Sequence, residues 1–588
     1  MDTEAESVRP NKPTDGSPGT PLERAAVGRS PGWFARKLFA PEFGAADRLL
    51  PRWIFLRALG FIYFSAFYSL VVQIRGLIGP HGVLPATRYL QLIASAYPGA
   101  LRFWYAPSLV WISSSSPMLL ALCWAGMIAS MLLVLNAWPR LMLAVAFVCF
   151  LSFVAAASGF ADFQSDGMLL EAGLISMFLA PAGLWPGLGR ASPPARFSLF
   201  LLQWEWFRIY LQSGLVKLLS GDPQWRNFTA MDEYYQNCPL PTWVGWYVQQ
   251  LPHWFHAATV AATLFMELVL VWMILLPRRS RTVLFFLVTG WQAGVILTAN
   301  YAFLNYLVLA LGILVVDDRF VLRTIPRRWR SVLEARTSAP PRSDPSAAEP
   351  PEAQAPGLSP RAGPQPGPAR AGGLLEFRHS SKLALSAAIL CWLFYATSAR
   401  LVMLIGPLFP LPRTPVAALE PFRVADQYGL FAVMTRGLYQ IEFQGSEDGT
   451  TWVAYPFRNK PQAVDQAPRI YAPYQPRFDW DLWFASLATW SSSPIVVNTE
   501  AGLLRNERDI LELFAGNPFH RSAPRQVRAV LWQYWFTSMS ERRSSGHWWR
   551  RKYLGLYAPV LQLQPDGSPS VVEAPKDDPK REEGGPGE

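Results

Sequence analysis

The sequence predicts an all-α, multi-pass membrane domain of about nine transmembrane helices, followed by a C-terminal, β-rich α+β extracytoplasmic domain. Three observations carry this reading. Charged residues are 16% of the 588 while hydrophobic ones are 51%, whereas soluble domains carry about 25% charge. Apolar stretches near the length that spans a bilayer recur from Trp53 to beyond residue 400. After them the pattern changes to strand-like alternation bounded by turn residues.

The elements follow in order. Residues 1–48 are rich in Pro, Gly and charge and are expected to form a disordered tail, with no signal peptide ahead of the first apolar run. A hydrocarbon core about 30 Å thick needs roughly 20 apolar residues as helix. The windows near 53–74, 117–137, 140–160, 168–185, 197–219, 254–276, 282–299, 301–316 and 383–406 meet or approach that length. Residues 49–320 are thus expected to hold about eight spans. Residues 321–378 read as a cytoplasmic linker, because 336–373 is dominated by Pro, Ala, Gly and Arg and cannot bury a core. The last transmembrane helix is expected in 379–410, the C-terminal domain in 411–563 and a second polar tail in 564–588.

Inside the C-terminal domain, 438–443 alternates as a strand, 445–449 supplies turn chemistry, and 451–457 reads as the returning strand. The string Gly445-Ser-Glu-Asp-Gly-Thr-Thr-Trp452 resembles a hairpin of jelly-roll binding domains. Residues 478–490 and 501–514 read as helices. Residues 526–537 alternate again, with Val527, Ala529, Leu531, Gln533 and Trp535 on one face.

The net charge of +11 is placed as membrane orientation demands. Arg24, Arg29, Arg36, Lys37, Arg48 and Arg52 precede the first span. Arg140, then Arg190 and Arg196, then Arg278, Arg279 and Arg281, then Arg319, Arg323, Arg327, Arg328 and Arg330 occupy alternate loops. All can be cytoplasmic together, facing anionic lipid. An odd number of spans then sends the C-terminal domain across the membrane, into the periplasm of a bacterium or the lumen of the endoplasmic reticulum. Nucleic acid is excluded as a partner, because no zinc-finger spacing or RNA-binding aromatic motif occurs. Of the four cysteines, Cys123, Cys149 and Cys391 fall in apolar runs and Cys238 in a polar loop, so no disulfide framework is expected in the C-terminal domain.

Ionisable groups within apolar spans are costly and are candidates for function. Glu171, Glu205, Glu267, Arg208 and Lys217 qualify, with Glu205 and Arg208 spaced to pair on one helix face. Interhelical ion pairs would satisfy the same cost without chemistry. His253 and His256 could offer two metal ligands, but no metal is expected, since an acidic partner is lacking in the motif. Asn227-Phe-Thr229 is a glycosylation pattern. The polar break from Gly159 to Gly167 reads as a turn at the membrane surface. Phosphate-binding loops, dinucleotide fingerprints and nucleophile elbows are missing, and no cofactor is expected.

Longer strings carry a family resemblance. Phe207-Arg-Ile, Gly214-Leu-Val-Lys-Leu218, Gly221-Asp222, Trp225-Arg226, Met231-Asp232, Tyr235, Pro239 and Pro241 come in order. Trp254-Phe-His256, Glu267-Leu268, Phe303-Leu-Asn305 and Asp317-Asp318 follow. The C-terminal domain adds Tyr428-Gly429, Pro473-Tyr474, Arg477-Phe-Asp-Trp480, Trp483-Phe-Ala485, Asn517-Pro-Phe519, Val527-Arg528, Tyr534 and Trp548-Trp549. With these, the chain resembles lipase maturation factors from about Trp53 to Pro559. The resemblance implies a chaperone-like membrane protein of the endoplasmic reticulum that assists secreted client proteins, lipases above all, through a lumenal C-terminal domain. Arg477, Asp479, Trp480, Trp483, Trp548 and Trp549 are the candidate client-binding residues, their aromatic faces offering apolar contact with polar edges. The long linker and the Ala, Pro and Arg richness suggest a bacterial member.

A second, shorter stretch is similar to the vitamin K-dependent gamma-carboxylase. It is Ser213-Gly-Leu-Val-Lys-Leu218 with Trp225 and His253-Trp254. That similarity implies Lys217 as a base towards a quinone-like lipid. It predicts an intramembrane pocket beside Lys217 lined by Glu171, Arg208 and His256.

Overall fold

The computed structural model describes residues 31–338 and 371–581. Helices occupy all the apolar windows: Leu49–Ile78 (α1), Ser116–Val134 (α2), Pro139–Val154 (α3), Gln164–Leu179 (α4), Arg196–Leu219 (α5), His253–Leu268 (α6), Arg278–Thr298 (α7), Leu304–Gly312 (α8) and Ala371–Ile405 (α9). A tight turn of 3₁₀ helix, Leu270–Leu275, extends α6, and another, Ile313–Val315, extends α8.

Length and apolar character divide these helices. Among the described residues, 5 helices are long and apolar enough to span a membrane: Leu49–Ile78, Ser116–Val134, His253–Leu275, Arg278–Thr298 and Ser380–Ile405. The others fall short for separate physical reasons. Helices α3 and α4 have 16 residues each, about 24 Å at 1.5 Å per residue. Helix α5 has 24 residues, but Glu205, Arg208 and Lys217 interrupt its apolar character. Helices α4 and α5 lie within the bundle, where protein rather than lipid surrounds those charges. The bundle closes tightly where a small residue allows it. At Gly126 of α2, an added Cβ would stand 2.2 Å from the Phe67 ring of α1, so only glycine admits that ring.

The C-terminal part is a 6-stranded antiparallel sheet with two helices of 11 residues and shorter ones beside them. Its strands are Leu438–Ser446 (β1), Val453–Ala454 (β2), Gln526–Phe536 (β3), Trp549–Leu556 (β4), Val560–Leu563 (β5) and Pro569–Glu573 (β6), and its helices are Arg477–Leu487 (α10) and Pro494–Leu504 (α11). The strands run β2-β1-β3-β5-β6, and β4 pairs with the other part of β3. Strand β3 is buried on both faces. Val527, Ala529 and Leu531 share a core with Val496 and Leu503 of α11, while Tyr534, Phe536 and Trp549 pack with Trp246 from the membrane region.

Several expectations are corrected. The expected return strand 451–457 forms a ladder with β1 only over Val453–Ala454. Tyr455 still donates its N–H to the Phe443 carbonyl at 2.9 Å, and Phe457 bridges to Phe514. Asp448 closes the turn by accepting from the N–H groups of Thr450 and Thr451. The helix expected over 501–514 begins at Pro494 and breaks at Asn506, which adopts φ 54°, a conformation Asn tolerates. Helix Pro31–Phe39 lies within the expected first tail, held by Phe39 against Phe197 with ring centroids 4.8 Å apart. Asp318–Thr324 and Arg327–Ser338 are helical at the start of the expected linker. Strand β6 occupies the expected last tail, returned by the turn Pro565-Asp566-Gly567-Ser568, in which Asp566 accepts from Ser568 N–H at 2.9 Å. The remainder of those tails and linker, residues 1–30, 339–370 and 582–588, lies outside the described residues.

Candidate functional site

The buried charges gather along the seam between the bundle and the sheet domain. Arg477 opens α10, and both its terminal nitrogens donate to the carboxylate of Asp166 in α4, each at 2.7 Å. Nη1 also donates to the Phe160 carbonyl at 2.8 Å, and the guanidinium lies 4.8 Å from the Phe153 ring centroid. Both side chains are 0% exposed. Desolvating two ions costs several kcal/mol each, and a two-pronged contact of this geometry is what offsets it.

A second cluster sits one turn deeper on α4. Arg208 of α5 donates to Glu171, and Tyr428 of the sheet domain donates its hydroxyl to the other Glu171 oxygen at 2.7 Å. Glu205 does not pair with Arg208 as the helix spacing predicts. Its carboxyl is fully buried and accepts no hydrogen bond among the described residues, because Arg208 points across to α4 instead.

Bonds from backbone N–H groups to side chains of the membrane region complete the seam. Asn300 accepts from Tyr471 N–H at 2.7 Å, Asp222 from Met434 N–H at 2.6 Å, and Gln236 from Phe536 N–H at 2.8 Å. Trp225 donates its indole N–H to the Phe431 carbonyl at 2.9 Å. The polar break around Gly159, read as a surface turn, thus carries a docking residue, Asp166. The strings around Asp222, Trp225 and Tyr235 form the receiving face.

Lys217 belongs to a different arrangement. Its ammonium donates to both oxygens of Glu267 in α6, at 2.8 and 2.9 Å, and lies 5.2 Å from the Trp225 ring. The cavity beside it measures about 80 Å³ and is lined by Tyr210, Gln292 and Asn305 among others. Glu171, Arg208 and His256 do not line it. Ligand pockets run from about 300 Å³ upward, so the pocket expected for a quinone-like lipid is not formed. His253 faces the Asp232 carboxylate at 2.9 Å, and His256 is buried beside Tyr235 with ring centroids 5.7 Å apart. No group of three or more metal-ligating side chains occurs among the described residues.

A roomier candidate site is a cleft of about 680 Å³ across the same seam. Phe163 and Tyr301 line it from the bundle, Leu430 to Val433 form one rim, and Trp480, Trp483 and Phe484 of α10 form the opposite wall. Val433 is 68% exposed and Phe484 48%. Asp481 also lines it, and burial holds that carboxyl well above the usual carboxylate range.

The six client-binding candidates therefore divide. Trp480 and Trp483 line the cleft. Arg477 is held by Asp166, Asp479 accepts from Asn459 at 2.8 Å, and Trp549 packs on Phe536 at 4.8 Å between centroids, so these three are interior. Trp548 stacks with the Arg542 guanidinium 3.5 Å over its ring. Sequence reasoning missed Phe431, Val433 and Ile495 as cleft residues. Only apolar side chains, exposed or partly buried, converging from separate segments mark them, and no local pattern does that.

Comparison with known proteins agrees with this two-part construction. The model of the lipase maturation factor transmembrane domain matches residues 50–323, and that of the lipase maturation factor C-terminal domain matches 424–559. Lipase maturation factor 2 of Gallus gallus is 31% identical over 89% of this chain and 82% of its own length. Lipase maturation factor 1 of Bos taurus is 30% identical over 88% and 89%, and that of Homo sapiens 29% over 95% and 97%. No solved structure matches the chain. These comparisons give no support to the gamma-carboxylase likeness or to a bacterial origin.

Proposed function

The chain belongs to the lipase maturation factor family, and from that premise we propose that it holds secreted clients, lipases by the names of its relatives, in the cleft between bundle and sheet. As a family member it is a membrane maturation factor. The observation that carries the finer reading is the cleft itself: a concave, aromatic-walled space with Val433 and Phe484 uncovered. Exposed apolar surface of that kind marks a binding site.

The proposed topology has about nine crossings, the N-terminus in the cytoplasm, and residues 411–563 on the far side, in the lumen of the endoplasmic reticulum or its counterpart. Basic residues alternating between loops support that orientation.

The test is a pair of surface variants, Val433→Asp and Phe484→Asp, in full-length protein. Each should lose crosslinking to a co-expressed lipase and lower secreted lipase activity, while thermal stability stays within about 0.5 kcal/mol of the parent. Unchanged crosslinking and secretion from both variants would remove the cleft from the function.

A further inference from the structure

The end of the bundle far from the sheet domain in sequence order, where α1 begins, holds guanidinium groups that no carboxylate neutralises. Arg52 is 1% exposed, yet its partners are all carbonyls: Leu188 at 2.8 Å, Gly189 at 2.9 Å, Ser192 at 2.6 Å and Leu179 at 3.3 Å. That clasp fixes the 188–192 loop and with it Arg190. Arg190 itself makes no side-chain hydrogen bond or ion pair among the described residues. Arg57 is 8% exposed. Its Nη1 donates to the Trp53 carbonyl at 3.1 Å, but Nε and Nη2 have no partner, and the guanidinium stacks 4.6 Å over the Trp53 ring.

Of these groups, Arg190 lines a groove of about 500 Å³. Leu50, Trp53 and Ile54 form one wall, on the helix face that Arg57 continues one turn deeper. Leu188, Ile325 and Leu333 supply further apolar lining, and Arg190 stands at the rim. Of the acids at this end, Asp318 is committed to the α1 N-terminus, accepting from Leu50 N–H at 2.8 Å, and Asp47 and Asp317 face Arg48 and Arg278. Beside the groove, helix Arg327–Ser338 exposes Trp329 (56%) and Val332 (47%) next to Arg327 and Arg328, the composition of a helix lying in a membrane interface.

We propose that this groove is a binding site for an anionic phospholipid, its acyl chain along Leu50, Trp53 and Ile54 and its phosphate at Arg190. A guanidinium lacking counter-charge selects an anion, and the apolar wall selects one that carries a hydrocarbon chain. A soluble phosphate would satisfy the first and waste the second.

The experiment uses full-length protein in nanodiscs of phosphatidylcholine alone or mixed with phosphatidylglycerol, with retained lipid counted by native mass spectrometry after release. The parent should retain phosphatidylglycerol in preference to phosphatidylcholine. Arg190→Gln should lower that preference about fivefold, the worth of one basic residue near an anionic surface, and Arg190→Lys should recover part of it. Glycerophosphate, which has the head but no chains, should not displace the lipid. Equal retention of both lipids, an unchanged preference in Arg190→Gln, or displacement by glycerophosphate would each overturn the site. Arg190 is half-buried in a loop, so its variants test binding without the folding risk that Arg57→Gln carries.

Discussion

The seam and the α1 end treat buried arginine in opposite ways. At the seam, Arg477 and Arg208 each meet a carboxylate from another segment, and both pairs are closed to solvent. At the α1 end, Arg52, Arg57 and Arg190 meet carbonyls or nothing. Closed ion pairs fasten one part of a protein to another, whereas a guanidinium left without its anion is a place for something else to bind.

The contrast can be broken at its strongest point first. Arg477→Ala leaves Asp166 buried and alone and should cost about 3–5 kcal/mol. Thermal unfolding in detergent reports it, and protease should cut between the bundle and the sheet domain. A loss below about 1 kcal/mol would mean that the pair fastens nothing. Next in size is Lys217→Met, expected to cost about 3 kcal/mol because Glu267 loses its cation. Lys217→Met with Glu267→Leu should return most of that loss, since the double variant leaves no orphan charge. If the double variant is as unstable as the single one, Lys217 has a role beyond the pair.

Glu500 sharpens the comparison from the acid side. It is fully buried in α11, its carboxyl oxygens accept no hydrogen bond from any side chain, and burial holds it well above the usual carboxylate range. With a folded pKa raised above the unfolded one, the folded state binds the extra proton. Stability from this group is present at low pH and is lost as pH climbs from the ordinary carboxylate range towards the raised value. Glu500→Gln should therefore unfold at a higher temperature than the parent near pH 8, by about 1–3 kcal/mol, and the gap should shrink towards pH 5. A gap independent of pH would show that the carboxyl does not carry its proton through folding. Arg190→Gln is the smallest effect. In neutral detergent it should change stability by no more than about 0.5 kcal/mol, because the side chain holds nothing in place.

Most of the helical architecture was legible in the sequence, because apolar length and basic flanks are local properties. Helix α1 covers the expected window from Trp53 and overshoots it at both ends, since Leu49, Leu50 and residues 75–78 are helical though flanked by Arg48 and Arg75. The strands β1 and β3 emerged from alternation, but the burial of both faces of β3 did not, because Trp246 arrives from nearly 300 residues away. The site was legible only in part. Trp480 and Trp483 could be named from composition, while Arg477 and Asp479 carry the same polar-aromatic signature and are interior. A sequence shows that a charged residue is present, and its partner is decided by tertiary geometry. Asp166 shows the same limit, since a polar turn and a buried anchor look alike until Arg477 is beside it.

The Arg477–Asp166 bond also sets a timetable. Asp166 and Glu171 enter the membrane region early in synthesis, but the groups that satisfy them, Tyr428 and Arg477, are made more than 250 residues later. For that interval Asp166 lacks its cation, and Glu171 has Arg208 but not the Tyr428 hydroxyl. The fourth helix of the bundle can close both contacts only once residues 428 and 477 have been made.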